Sequence, residues 1–235
     1  MARSIQRSSL DIEVAAFDFG AARRWAHGID RVPLRRRDDS ELPFVGAGAL
    51  GGQPLLLDTC VYIDQMRDHT PIALDELLAA RFVNHSTVAI QELMHSVGVL
   101  DPSDPRTARA IAAVGAQIRT MRPHRTYTPD ADVLGRAALL SGILCRRRGY
   151  NKDSKLRALQ DCVLFLQALK EGFVLLTENT ADYDILSQMV PSTRMLFYRN
   201  TQVALERQQA ARRLAGVPIT AARPAPADDA RRRRA

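Results

Sequence analysis

Three consecutive leucines, Leu55, Leu56 and Leu57, followed at once by Asp58, constrain this chain more than any other stretch. A run without polar alternate positions has no solvent-facing side, so as a strand it belongs in a parallel sheet covered on both faces. The chain continues through Thr59, Cys60, Val61, Tyr62 and Ile63 to Asp64, so the apolar run ends on a carboxylate at the strand's carboxyl end. Ligands bind at that edge of open α/β sheets. Asp58 has two readings there, a helix cap or turn former and a site residue.

The 235 residues suffice for one sizeable core with extensions. The net charge of +7 is uneven: residues 217–235 carry five Arg against two Asp, and residues 1–54 carry eight basic residues against seven acidic ones. The centre is therefore mildly basic, which permits a polyanionic partner without requiring one. Cys60, Cys145 and Cys162 show no C-x-x-C spacing, which argues against a disulfide framework or a zinc knuckle. Cys60 and Cys162 read as packed thiols. No apolar run reaches the roughly 18–20 residues that span a bilayer, and no hydrophobic signal core opens the chain. No membrane role is expected, and a cytoplasmic location is the default.

Periodicity divides the chain into a charged N-terminal extension (1–53), an alternating α/β region (54–200), a C-terminal helix (201–216) and a disordered Arg/Pro/Ala tail (217–235). Residues 1–54 read as an adaptor, with Arg35 to Glu41 as surface. The four glycines of Gly46 to Gly52 precede a strand and lack a following Gly-Lys-Ser/Thr, so they do not form a phosphate loop. Thr70-Pro71 and Thr128-Pro129 read as helix starts. Between them Phe82 to His85 reads as a strand, Val88 to Val97 as a helix capped by Ser86 or Thr87, and Arg119 to Arg125 as a basic loop. Val133 to Arg148 is a helix closed by Gly149, and Leu156 to Lys170 a helix that is apolar nearly all round from Cys162. Phe173 to Leu176 and Met195 to Tyr198 complete the strands.

Four acidic residues share one logic. Asp58 follows a strand, Glu92 lies on the helix after the next, Asp161 heads the buried half of a helix, and Asp182 follows another strand. With parallel strands and right-handed crossovers these positions meet at one sheet edge. Crowded carboxylates repel, so they take up protons or bind a cation. An oxygen-only set suits Mg²⁺ or Mn²⁺ better than zinc. Taken singly, Asp182 is equally a cap for a helix near Tyr183, and Glu92 equally a solvated helix residue. Asp64, Asp184 and Glu178 read as solvated or capping groups, and His85, His95 and His124 show no paired metal spacing. Arg146, Arg147, Arg148, Lys152 and Lys155 form a basic cluster around Tyr150, which suits phosphate contacts or merely the last turn of a helix.

The same stretches resemble the motifs of PIN-domain nucleases. Leu55 to Asp64 is similar to that family's opening strand, Thr87-Val-Ala-Ile-Gln-Glu-Leu to its second motif, and Leu156 to Phe165 to its third. Thr177-Glu-Asn-Thr-Ala-Asp-Tyr looks like its Thr-x-Asn-x-x-Asp-Phe ending, with Tyr183 replacing the usual Phe. The resemblance implies a three-layer α/β/α fold and an Mg²⁺-dependent ribonuclease of the kind found as the toxin in VapBC toxin–antitoxin pairs. Asp58, Glu92, Asp161 and Asp182 would hold the ion, and Thr59, Thr177 and Asn179 would orient ligands. RNA, an antitoxin protein and a second copy of the chain are the partners it implies. The N-terminal extension and the Arg-rich tail have no counterpart in a minimal toxin. The competing reading is an inactive module of the same fold that only binds RNA or protein. A phosphoacceptor hydrolase using Asp58 fits poorly, because Cys60 stands where a second acid is wanted.

Overall fold

The structure is a computed structural model that describes residues 17–149 and 152–200. The expected helix over 201–216 and the tail beyond it lie outside the described residues.

Strand β1 (Leu55–Leu57) is the centre of a five-stranded sheet, ordered β3-β2-β1-β4-β5, with β2 (Val83–Ser86), β3 (Thr126–Tyr127), β4 (Val174–Thr177) and β5 (Arg194–Phe197). Every pairing is parallel. The leucine run is buried along its whole length, as continuous apolarity requires. Leu55 and Leu57 point into one core cluster and Leu56 into the other, the two-residue alternation of a strand. Burying each leucine contributes about 1.5–3 kcal/mol.

Among the described residues, eight α-helices accompany the sheet: α1 (Phe19–Ile29), α2 (Thr59–Met66), α3 (Ile72–Ala80), α4 (Thr87–Gly98), α5 (Thr107–Thr120), α6 (Ala131–Arg148), α7 (Lys152–Glu171) and α8 (Thr180–Met189). Helices α2, α3 and α5, with Leu93 of α4, cover the Leu55/Leu57 face. Helices α6, α7 and α8 cover the Leu56 face, where α7 contributes the unbroken buried run Asp161 to Ala168. Gly149 ends α6 in the left-handed region, φ 65°, and its N–H bonds to the Cys145 carbonyl.

Several boundaries differ from the sequence reading. Asp130, not Thr128, caps α6, because its Oδ1 reaches the Val133 N–H at 3.0 Å. Pro71 occupies the cap position of α3 in extended backbone, ψ 153°, so the helix begins at Ile72. The basic loop holds a short 3-10 turn, Pro123–Arg125, and then β3, whose two residues are too few for periodicity to reveal.

The segment read as an adaptor contributes to the core through Ala26, Ile29 and Leu42. It also runs beside the outer edge of β5: the Val45 N–H bonds to the Phe197 carbonyl at 2.7 Å, and the Phe197 N–H to the Pro43 carbonyl at 2.8 Å. That closes a strand edge that would otherwise offer unpaired groups. Asp184 and Asp64, expected to be solvated or capping, are buried. Arg37 binds Asp184 through Nε at 2.6 Å and its own N–H at 2.9 Å, while the Tyr198 hydroxyl donates to Asp64 at 2.7 Å. Each carboxylate is tolerated inside because it has a charged or hydrogen-bonding partner far away in sequence.

Candidate functional site

The carboxyl end of β1 delivers Asp58 to a cavity of about 470 Å³ that also contains Glu92 of α4 and Asp161 of α7. Asp58 caps α2 and also lines the cavity. Its Oδ1 accepts from the Thr59 N–H at 2.7 Å at the start of α2, while Oδ2 accepts from the Thr177 hydroxyl at 2.6 Å and the Cys60 thiol at 3.2 Å. Thr177 is the last residue of β4, so the pairing of the two central strands sets its hydroxyl against Asp58. Glu92 sits in the second turn of α4 and accepts from the Thr59 hydroxyl.

Asn179 organises the other half of the site. It caps α8 by accepting from the Asp182 N–H at 3.2 Å, and its Nδ2 donates to Asp182 at 3.2 Å and reaches Asp161 at 3.5 Å. Asp182 is therefore not the cap, which Asn179 already supplies from three residues earlier. Asp182 stands beside the cavity, linked through this amide to Asp161. The Tyr183 hydroxyl donates to Asp161 at 3.4 Å.

Burial and mutual repulsion govern the charges. Removal from water pushes the Asp161 carboxyl well above the ordinary range, and the charges of Asp58, Asp182 and Glu92 push it further. Burial raises Asp58 as well, against the opposing hydrogen bonds from Thr177, Cys60 and Thr59. Glu92 is pushed up to about 7, first by burial and then by Asp58, with the Thr59 hydroxyl and Arg157 pulling the other way. Burial keeps the Cys60 thiol protonated, so it serves as a donor to Asp58.

The donor set is all oxygen, four carboxylates with two threonine hydroxyls and an amide, which fits a hard divalent cation. Among the described residues, no three acidic, His or Cys side chains are yet spaced to hold one ion together. The carboxylates are instead tied in two groups, Asp58 with Glu92 through Thr59, and Asp161 with Asp182 through Asn179.

The basic cluster is elsewhere. Arg146 pairs with Asp30 at 2.6 Å and Arg147 donates to the Asp30 carbonyl at 3.3 Å, so both hold the end of α1. Arg148 is exposed. Lys152 opens α7 nine residues before Asp161, about 13.5 Å along the helix axis. Arg146, Arg147 and Arg148 do not line the cavity. The cation that does is Arg157, with Gln160, Cys60 and His95, all assigned no site role from sequence. Arg157 stands one helical turn before Asp161, a spacing that puts both on one face and was the available signal.

No protein-family model matches the sequence, and no curated protein does. Among solved structures the chain is similar to VapBC2 from Rickettsia felis bound to a promoter DNA fragment, with 13% identity and a TM-score of 0.43 over 62% of this chain and 98% of that one. It is also similar to DNA-bound VapBC from Salmonella typhimurium, with 16% identity and a TM-score of 0.43 over 61% of this chain and 97% of that one.

Proposed function

We propose that this chain is a metal-dependent phosphodiester hydrolase, with RNA as its substrate. The observation that carries the reading is that Asp58, Glu92 and Asp161, far apart in sequence, line one cavity, with Asp182 linked to Asp161 through the Asn179 amide. Buried mutual repulsion of this kind costs stability, and such costs concentrate at sites that do chemistry. Asp58, Glu92, Asp161 and Asp182 would hold Mg²⁺ or Mn²⁺. When bound, the ion supplies Lewis-acid stabilisation of the phosphate and a more acidic water.

The chain's own residues do the positioning. Thr177 and the Thr59 N–H hold both oxygens of Asp58, Thr59 holds Glu92, and Asn179 holds Asp161 and Asp182. Arg157 at the cavity wall offers a cation to an anionic strand. The fuller reading, from the sequence motifs, is the toxin of a VapBC-like pair, with a cognate antitoxin and a second copy as protein partners. Among the described residues no helix is long and apolar enough to cross a membrane.

Incubating the chain with a mixed RNA pool tests the reading. Cleavage is expected with Mg²⁺, none with EDTA, and a loss of at least about a hundredfold in Asp58→Asn, the scale on which metal-site residues act. Cutting in EDTA, or full activity in the variant, overturns it. The hydrogen-bonded grouping of the carboxylates favours one rival, a binding-only module. That rival predicts salt-sensitive RNA binding retained in Asp58→Asn with no cleavage by either chain.

A further inference from the structure

A second cavity, of about 520 Å³, lies on the opposite side of α2, between that helix, β2, α5 and the 3-10 turn Pro123–Arg125. Among the described residues no acidic side chain lines it. Its apolar surface comes from Leu57, Leu78 and Val83, and the amides of Gln65 and Gln117 stand on its walls. Arg122, His124 and Arg125 form its basic side. Among the described residues neither arginine has an ion-pair partner. The Arg125 guanidinium stacks on Phe82, 4.8 Å from the ring centroid, and Phe82 is itself 67% exposed. Stacking fixes the plane of Arg125 while leaving its edge N–H groups available.

Inside the cavity stands His85, 8% exposed, whose Nδ1 is 2.8 Å from the Tyr62 hydroxyl. Its Nε2 has no partner among the described residues. Burial and the nearby Arg125 charge lower His85 to about 4, so the ring is neutral at pH 7. In the tautomer whose Nδ1 accepts from the Tyr62 hydroxyl, Nε2 carries the proton and is a donor at the cavity wall. A ring nitrogen that opens to the cavity without a protein partner is free to meet a ligand acceptor there.

We propose that this cavity binds a 5′-nucleotide, its phosphate on Arg122, Arg125 and His124 and its base on the apolar wall against the glutamine amides. Size separates this ligand from a simple anion. The volume falls within the roughly 300–1,000 Å³ of ordinary ligand sites, whereas a water-sized species takes about 30 Å³. Arginine forks suit a phosphate, and an amide both donates to and accepts from a base edge. The nucleotide is either free in solution or one unit of an RNA strand. The inference does not rest on the reading of the carboxylate cleft.

Binding is measured by calorimetry in EDTA, on the full chain and on Asp58→Asn, so that cleavage does not enter. The probes are inorganic phosphate, AMP, UMP and a four-nucleotide RNA. At least one nucleotide is expected to bind ten times more tightly than inorganic phosphate, and equally to both chains. The double variant Arg122→Gln/Arg125→Gln is expected to weaken that binding at least tenfold while keeping the parent's melting temperature. His85→Asn serves as a second probe of the interior donor. A tetranucleotide at least tenfold tighter than the mononucleotides identifies a strand as the source, and equal affinities identify a free nucleotide. Failure of every nucleotide to bind, nucleotide affinity no better than phosphate, or undiminished binding in the double variant overturns the proposal. Loss of cleavage in Asp58→Asn is a separate readout and is unaffected by any of these outcomes.

Discussion

Two cavities flank α2 and share its backbone, yet they hold opposite chemistry. Thr59, Cys60 and Ile63 face the carboxylate cavity, while Tyr62 and Gln65 face the basic one. The helical period separates them: Thr59 and Ile63, four apart, share one side of the helix, and Tyr62 and Gln65, three apart, share another. On the acidic side loss of water raises the Asp58, Glu92 and Asp161 carboxyls. On the basic side the same loss of water lowers a histidine. Burial therefore has one physical rule, disfavouring whichever form is charged, and produces opposite shifts in an acid and a base.

The largest effect expected from breaking this contrast is catalytic. Asp161→Asn should lower metal-dependent RNA cleavage by at least about a hundredfold, read as kcat/KM. Arg122→Gln, in the other cavity, should leave the chemical step in single-turnover assays with a dinucleotide substrate within about threefold, as its guanidinium lies across α2 from the carboxylates. Next comes the ion. Mg²⁺ at a hundred times its Kd should stabilise the wild-type chain by about 2.7 kcal/mol in thermal unfolding, and much less in Asp58→Asn. Equal stabilisation of both chains would place the ion elsewhere.

A smaller effect concerns stability without metal. Asp161→Asn replaces a carboxyl whose ionisation is opposed by burial and by three acidic neighbours with a neutral amide. Its melting temperature in EDTA should rise by about 2–4 °C, the shift for roughly 1 kcal/mol at this chain length. A fall would show that the carboxylate is there for structure alone.

The smallest effects are opposite pH slopes. Glu92 is raised from 4.5 to about 7, so its protonated form is favoured in the folded chain. That contribution is present below pH 4.5 and is lost as pH rises through about 7. His85 is lowered from 6.5 to about 4, so its contribution is present above pH 6.5 and lost as pH falls through about 4. Denaturant midpoints of wild type against Glu92→Gln should diverge with rising pH in EDTA, and against His85→Asn with falling pH. Slopes of the same sign would break the contrast between the two sides of α2.

Much of this was legible in the residues. The leucine run, the Gly149 stop and the all-round apolar half of α7 each state their local structure, because solvation and backbone sterics act over a few positions. The α/β class with a parallel sheet followed from them. The acidic residues were equally visible, since carboxylates at strand ends and in apolar company are conspicuous. Less visible were the groups that serve them. Cys60 read as packing, yet its thiol donates to Asp58, and Tyr183 read as a Phe substitute, yet its hydroxyl reaches Asp161.

By itself the sequence determined which segments become strands and helices and which side chains carry charge, since propensity, capping and apolar period are short-range. Tertiary structure alone decided which charges meet. Arg37 finds Asp184 across 147 positions, Arg146 is spent on Asp30, and the unpaired edge of His85 opens beside Arg125 and not beside the carboxylates. Those pairings are set by packing helices on two faces of a sheet, a condition on the whole chain that no local window contains.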